Sequence, residues 1–147
     1  MSKLALTFFS KEEKQKIMQA IADAELASSG EIRVHIENKC EKDVLDCASY
    51  TFAKLKMHKT ELRNGVLFYL AVKSKKFAII GDVGINQKVP ENFWDEIKEE
   101  VQQTFLKGDF VGGLSQGIIK AGQQLKEHFP HQSDDKNELS DEISFGK

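Results

Sequence analysis

Gly65-Val66-Leu67-Phe68-Tyr69-Leu70-Ala71-Val72 is apolar at every position, with no alternation of apolar and polar residues. Successive side chains of an extended chain point to opposite faces, so such a run must bury both faces at once. It therefore predicts a central strand covered by helices above and below. The run is far shorter than the ~20 residues a membrane-spanning helix needs, so no membrane span is expected. A second strand has the other pattern. Glu31-Ile32-Arg33-Val34-His35-Ile36-Glu37 alternates strictly and puts Ile32, Val34 and Ile36 on one face, leaving His35 exposed or partly covered on the other.

The covers for the central strand can be read from helical spacing. Ser10 with Glu13 three residues later has the form of a capping box, and Ile17, Met18, Ile21, Ala22 and Ala24 then recur as on a helix. This first helix is expected from Lys11 to Ser28, with Gly30 as its terminator. Asp43 can cap a second helix whose apolar stripe is Val44, Cys47, Ala48, Thr51, Phe52 and Leu55. A polar break at 73–76 precedes Phe77-Ala78-Ile79-Ile80-Gly81, which predicts an antiparallel hairpin with the central strand. The strands at 31–37 and 65–72 should be parallel, joined by a right-handed crossover. After a loop at 82–89, which could include a short edge strand, Pro90 suits the first turn of a third helix carrying Phe93, Ile97, Val101 and Phe105. A fourth follows Gly108 with Leu114, Ile118, Ala121, Leu125 and Phe129, ending near Pro130.

A chain of 147 residues fits one domain, expected over 1–130. From His131 onward the composition turns polar and acidic, which predicts a flexible tail over 131–147, either a solubilising end or a docking peptide through Leu139, Ile143 and Phe145. With 21 basic and 23 acidic residues the net charge is −2, too near balance for the field that nucleic-acid binding uses. Cys40 and Cys47 are the only cysteines, without a CxxC pair. They read as an exposed thiol in a loop and a core thiol, both suited to a reducing compartment. The N-terminus shows only a short apolar run and no small-residue cleavage site. A cytoplasmic monomer is the expectation.

Several short motifs are familiar in their order: Ser29-Gly30-Glu31-Ile32, Arg63-Asn64-Gly65-Val66-Leu67, Gly81-Asp82-Val83-Gly84-Ile85, Val89-Pro90-Glu91-Asn92-Phe93-Trp94, Gly108-Asp109-Phe110 and Gly113-Leu114 with Ile118. Together they resemble the TPM-domain family over roughly residues 5 to 130. The resemblance implies an α/β fold, a three-layer αβα sandwich with a central mixed sheet of about four strands, one more than the pattern alone supplies. Family members are often secreted or membrane-anchored, whereas this chain looks like a stand-alone TPM domain. A plant thylakoid relative is described as an acid phosphatase and a photosystem repair factor, so phosphatase activity is one implied function.

Topology independently suggests where chemistry would sit. If strands one and two are parallel and the third returns antiparallel, Glu31, Asn64 and Asp82 converge at one sheet edge. Carboxylate and amide oxygens are the hard ligands that Ca²⁺ and Mg²⁺ prefer. Gly81 and Gly84 would let the following loop bend so that backbone carbonyls join, with Asn86 and Asp109 as further candidates. The structural alternatives are a solvated strand end for Glu31, a turn residue for Asp82 and a helix cap for Asp109. Arg63 either holds a phosphate or neutralises neighbouring carboxylates. A second acidic group, Glu37, Glu41, Asp43 and Asp46, reads as a solvated helix start. No nucleophile motif, P-loop or EF-hand is present. The functional expectation is a metal-responsive regulatory module with an unidentified protein partner, with a metal-assisted phosphatase as the alternative.

Overall fold

The all-apolar run forms β2 (Gly65–Ala71), buried at every position. The structure, a computed structural model, describes residues 3–26, 28–130 and 143–146. β2 pairs in parallel with β1 (Glu31–Glu37) and antiparallel with β3 (Lys76–Gly81). Strand order is β3-β2-β1-β4, where β4 is Ser144–Phe145, parallel to β1 with His35 opposite Ser144. This is the fourth strand that periodicity alone did not supply. Only two residues long, it lacks the run of alternating positions by which strands are recognised.

Helices cover both faces, giving the three layers. On one side lie α1 (Lys3–Thr7), α2 (Lys11–Glu25), α5 (Phe93–Leu106) and α6 (Phe110–His128). They bury Ile17, Ile21, Ile97, Val101, Leu114 and Ile118 against Ile32, Val34, Ile36, Val66 and Phe68. Gly122 of α6 lets α2 approach closely, since a Cβ there would stand 2.6 Å from that of Ala24. On the other face α3 (Val44–Lys54) and a 3₁₀ turn at Met57–Lys59 cover Leu67, Tyr69, Ala71 and Ala78 with Cys47, Ala48, Phe52 and Met57. Alternate β2 side chains thus enter two separate cores, which is why the strand has no polar face.

The predicted capping box is present: Ser10 Oγ accepts from Glu13 N at 3.1 Å and Glu13 Oε1 accepts from Ser10 N at 2.8 Å. Four expectations are corrected. The segment after β3 forms a short helix, α4 (Val83–Asn86), not a loop or edge strand. The third helix begins at Phe93, three residues past Pro90. His35 is buried, 7% exposed, because β4 covers it.

The fourth correction concerns the cysteines, which are not two free thiols: Cys40 and Cys47 are disulfide-bonded with Cα atoms 6.2 Å apart, and Cys40 is buried, not exposed. Bonded in this way, the two cysteines give no ground for expecting a reducing compartment. Residues 131–142 of the expected tail lie outside the described residues, as does Lys147, whereas Ile143 is buried in the main core. Among the described residues, no helix is long and apolar enough to cross a membrane.

Candidate functional site at the sheet edge

Strand register brings three of the predicted donors to one edge. Glu31 pairs with Gly65, Asn64 O accepts from Glu31 N at 3.5 Å, and Gly65 O accepts from Asp82 N at 2.9 Å. Glu31, Gly65 and Asp82 therefore follow one another across β1, β2 and the end of β3, as parallel and antiparallel pairing together require, with Asn64 one residue before Gly65. All three are buried, at 3%, 0% and 5% exposure. Burial is costly for such groups unless each is paired.

Asp82 is paired by Arg63. Its Oδ2 accepts from Arg63 Nε at 2.7 Å and its Oδ1 from Arg63 Nη2 at 2.9 Å, a two-pronged fork. Arg63 adopts φ of 51°, left-handed backbone that few non-glycine residues take. The same turn sends its carbonyl to Gly84 N at 2.7 Å. Asp82 Oδ1 also caps α4 by accepting from Val83 N at 2.8 Å. Hydrogen bonding to Asp82 holds the Arg63 guanidinium pKa above its ordinary value. The Arg63 side chain is 45% exposed while that of Asp82 is 5% exposed, so the cation is the partner free to move. The pair lines an open recess of about 480 Å³ with Ser49, His58 and Val83.

Asn64 is differently placed. Its Nδ2 donates to Ser29 O at 3.2 Å, while its Oδ1 is buried with no hydrogen-bond partner among the described residues. A buried amide oxygen without a donor is uncommon and marks a position where a cation or water fits.

The other predicted donors are committed elsewhere. Gly84 is needed for packing, because a Cβ would lie 2.1 Å from Leu62 O and 2.6 Å from Arg63 O. Both ends of the Asn86 amide are used: Nδ2 donates to Gly81 O and Oδ1 accepts from Trp94 Nε1, each at 2.7 Å. Asp109 caps α6 by accepting from Gly112 N at 2.8 Å, and it does not join the edge group. The far end of that helix is what meets the edge, since Leu125 packs on Gly30. The 16-residue separation from Leu125 places Asp109 about 24 Å away along the axis.

His58 and Ser49 were not singled out in the sequence. They reach the recess from the 3₁₀ turn and α3, and no spacing signal connects them with Asp82. Among the described residues, no group of three or more His, Cys, Asp or Glu side chains is arranged to hold a metal ion. Glu31 of β1 and Asp82 at the end of β3 flank Gly65 of β2 at this strand end.

The TPM domain family model matches residues 5–124. The chain belongs to the TPM-domain family. This domain superposes on the NMR structure of BA42 from the psychrophilic bacterium Bizionia argentinensis with a TM-score of 0.87 and 49% identity, covering 95% of this chain and 96% of that one. A more distant likeness, the N-terminal domain of cg2496 from Corynebacterium glutamicum, gives a TM-score of 0.60 at 18% identity over 80% of this chain and 74% of that one. That second likeness speaks to the fold alone. None of the curated proteins matches this TPM domain.

Proposed function

We propose that this TPM domain is a divalent-cation-responsive binding module, with Glu31, Asn64 and Asp82 as its oxygen donors for Ca²⁺ or Mg²⁺. The observation that carries this reading is the fully buried Asn64 Oδ1, without a hydrogen-bond partner among the described residues, at the strand end where Glu31 and Asp82 are also buried. Arg63 serves as the counter-ion of Asp82. An ion bound here would compete with that guanidinium, which can swing into the open recess. Release of the Arg63 side chain, with the backbone bond from Gly84 N to Arg63 O kept, moves a cation on the surface of the recess, so the surface around residues 58–63 and 82–86 changes with occupancy. A protein partner would read that surface.

The alternative, a metal-assisted phosphatase, requires Arg63 to face a phosphoryl group. Two of its guanidinium donors go to Asp82 instead, and no specific observation favours turnover.

Titration of the ¹⁵N-labelled chain with CaCl₂ and MgCl₂ tests the reading. Saturable amide shifts are expected at Glu31, Asn64, Gly65 and 81–84, with Asp82→Asn abolishing them. Arg63→Ala leaves Asp82 without its resident cation, so its melting temperature should rise more on adding ion than that of the wild type. No shift in this set at millimolar ion would refute the proposal.

A further inference from the structure

We propose that the outer edge of β1 is a strand-addition site that reads an apolar-Ser-aromatic-Gly segment, and that the chain's own residues 143–146 are its resident ligand. Without them β1 would be an exposed sheet edge, with unpaired backbone groups beside an apolar face. The C-terminal segment closes that edge in parallel register, His35 opposite Ser144 and Ile36 opposite Phe145, and Gly146 N donates to Ile36 O at 2.8 Å. Main-chain pairing of this kind supplies affinity, and pockets for alternate side chains supply choice of sequence.

Each residue of the segment meets a different test. Ile143 and Phe145 point to the main core: Ile143 is buried there, Phe145 packs at its margin, and Lys14 Nζ stands 5.1 Å from the Phe145 ring centre. Ser144 and Gly146 point to the opposite face, as strand alternation requires. The Ser144 hydroxyl lies 2.6 Å from His35 Nδ1. The His35 ring is itself held from three sides. Its Nε2 is 3.1 Å from Glu37 Oε1, its face stacks on Tyr69 at 5.9 Å between centres, and the Tyr69 hydroxyl donates to Glu37 Oε2. In the tautomer whose Nε2–H donates to Glu37, Nδ1 is the acceptor for the Ser144 hydroxyl. Gly146 passes directly over this group, where a Cβ would lie 2.3 Å from Glu37 Oε1 and 2.8 Å from His35 Nε2. A hydrogen-bond acceptor aimed at one position and a steric ceiling at another amount to a sequence filter.

A site of this size binds weakly in trans, but a short tether raises the local concentration of its ligand to the order of millimolar. As part of the same chain, the segment therefore keeps the edge closed in cis. The experiment uses the full chain. Gly146→Val should dislodge the segment, seen as a moved His35 ring signal and faster amide exchange along 34–37. Adding a synthetic peptide of residues 141–147 to this variant should restore the wild-type His35 signal saturably. The same peptide with Ser144→Ala should need roughly tenfold more for the same effect, and the Gly146→Val peptide should do nothing.

An unchanged His35 signal in Gly146→Val, or no rescue at millimolar peptide, would overturn the proposal. So would self-association of the variant through bare edges without peptide rescue, because that needs no sequence reading. If Gly146→Val does not fold, full-length Ser144→Ala decides, since it loses one hydroxyl and should still move the His35 ring signal.

Discussion

Glu37 looks on the sequence like one of several acidic residues at a solvated helix start, and in the structure it is a working part of the sheet. Burial alone would raise its pKa, but the hydrogen bonds from His35 and Tyr69 and the nearby Lys54 charge outweigh that and hold it below its ordinary 4.5. The same contact and burial push the Tyr69 hydroxyl pKa up. The sign for stability follows from linkage. Because the folded value is depressed, the contribution of Glu37 is fully present above about pH 4.5 and is lost as pH falls through the folded value. Thermal melts of the wild type and Glu37→Gln between pH 3 and 7 should therefore differ most on the neutral side and converge in acid. A constant gap across that range would count against the assignment. Asp82 and Arg63 show how far single residues were legible. Both stood out by motif and predicted position, and neutralisation of carboxylates was one of the two roles open to Arg63. That its fork takes both oxygens of Asp82 could not be read, because the left-handed backbone at Arg63 that aims it has no signature in residue type.

At the scale of elements, helices with a repeating apolar stripe were found within a few residues of their ends. The stripe of α6 and the capping box of α2 are local signals that tertiary packing only reinforces. Short elements escaped. α1, α4 and β4 are five, four and two residues long, too few for a period to repeat. The loop from β1 to α3 also proved more tightly held than its polar composition implied. Cys40 is tied to Cys47, Cys40 N donates to Ser74 Oγ at 3.0 Å, and Lys76 Nζ donates to the carbonyls of Cys40 and Lys42 at 3.0 and 2.9 Å. Chain-entropy arguments give a cross-link closing so short a loop about 2.5 kcal/mol. Reduction should lower unfolding stability by about that amount, measured by urea denaturation with and without a thiol reductant. Intact mass after alkylation should show both cysteines protected unless reductant is present.

Taken whole, the TPM domain is two hydrophobic cores on the two faces of one sheet, with β2 and β3 contributing to both. Phe68 and Leu70 of β2 belong to one core and Leu67 and Tyr69 to the other, so neither helical layer can detach without exposing the central strand. Unfolding should accordingly be a single transition, with Trp94 fluorescence and far-ultraviolet circular dichroism giving the same midpoint in urea. Separate midpoints would show that the α3 layer is an independent unit. The sequence by itself determined the layers, the parallel and antiparallel pairings of the three longer strands and the edge at which Glu31, Asn64 and Asp82 gather. Hydrophobic period and connection length are local properties, and these features depend on little else. Only the tertiary structure decided which donors at that edge are already taken, that Asp109 belongs to the far end of α6, that two cysteines are one disulfide and that the last residues close the sheet. Each of these is a matter of which atoms meet through space after the chain has turned, and a pattern along the chain carries no record of that.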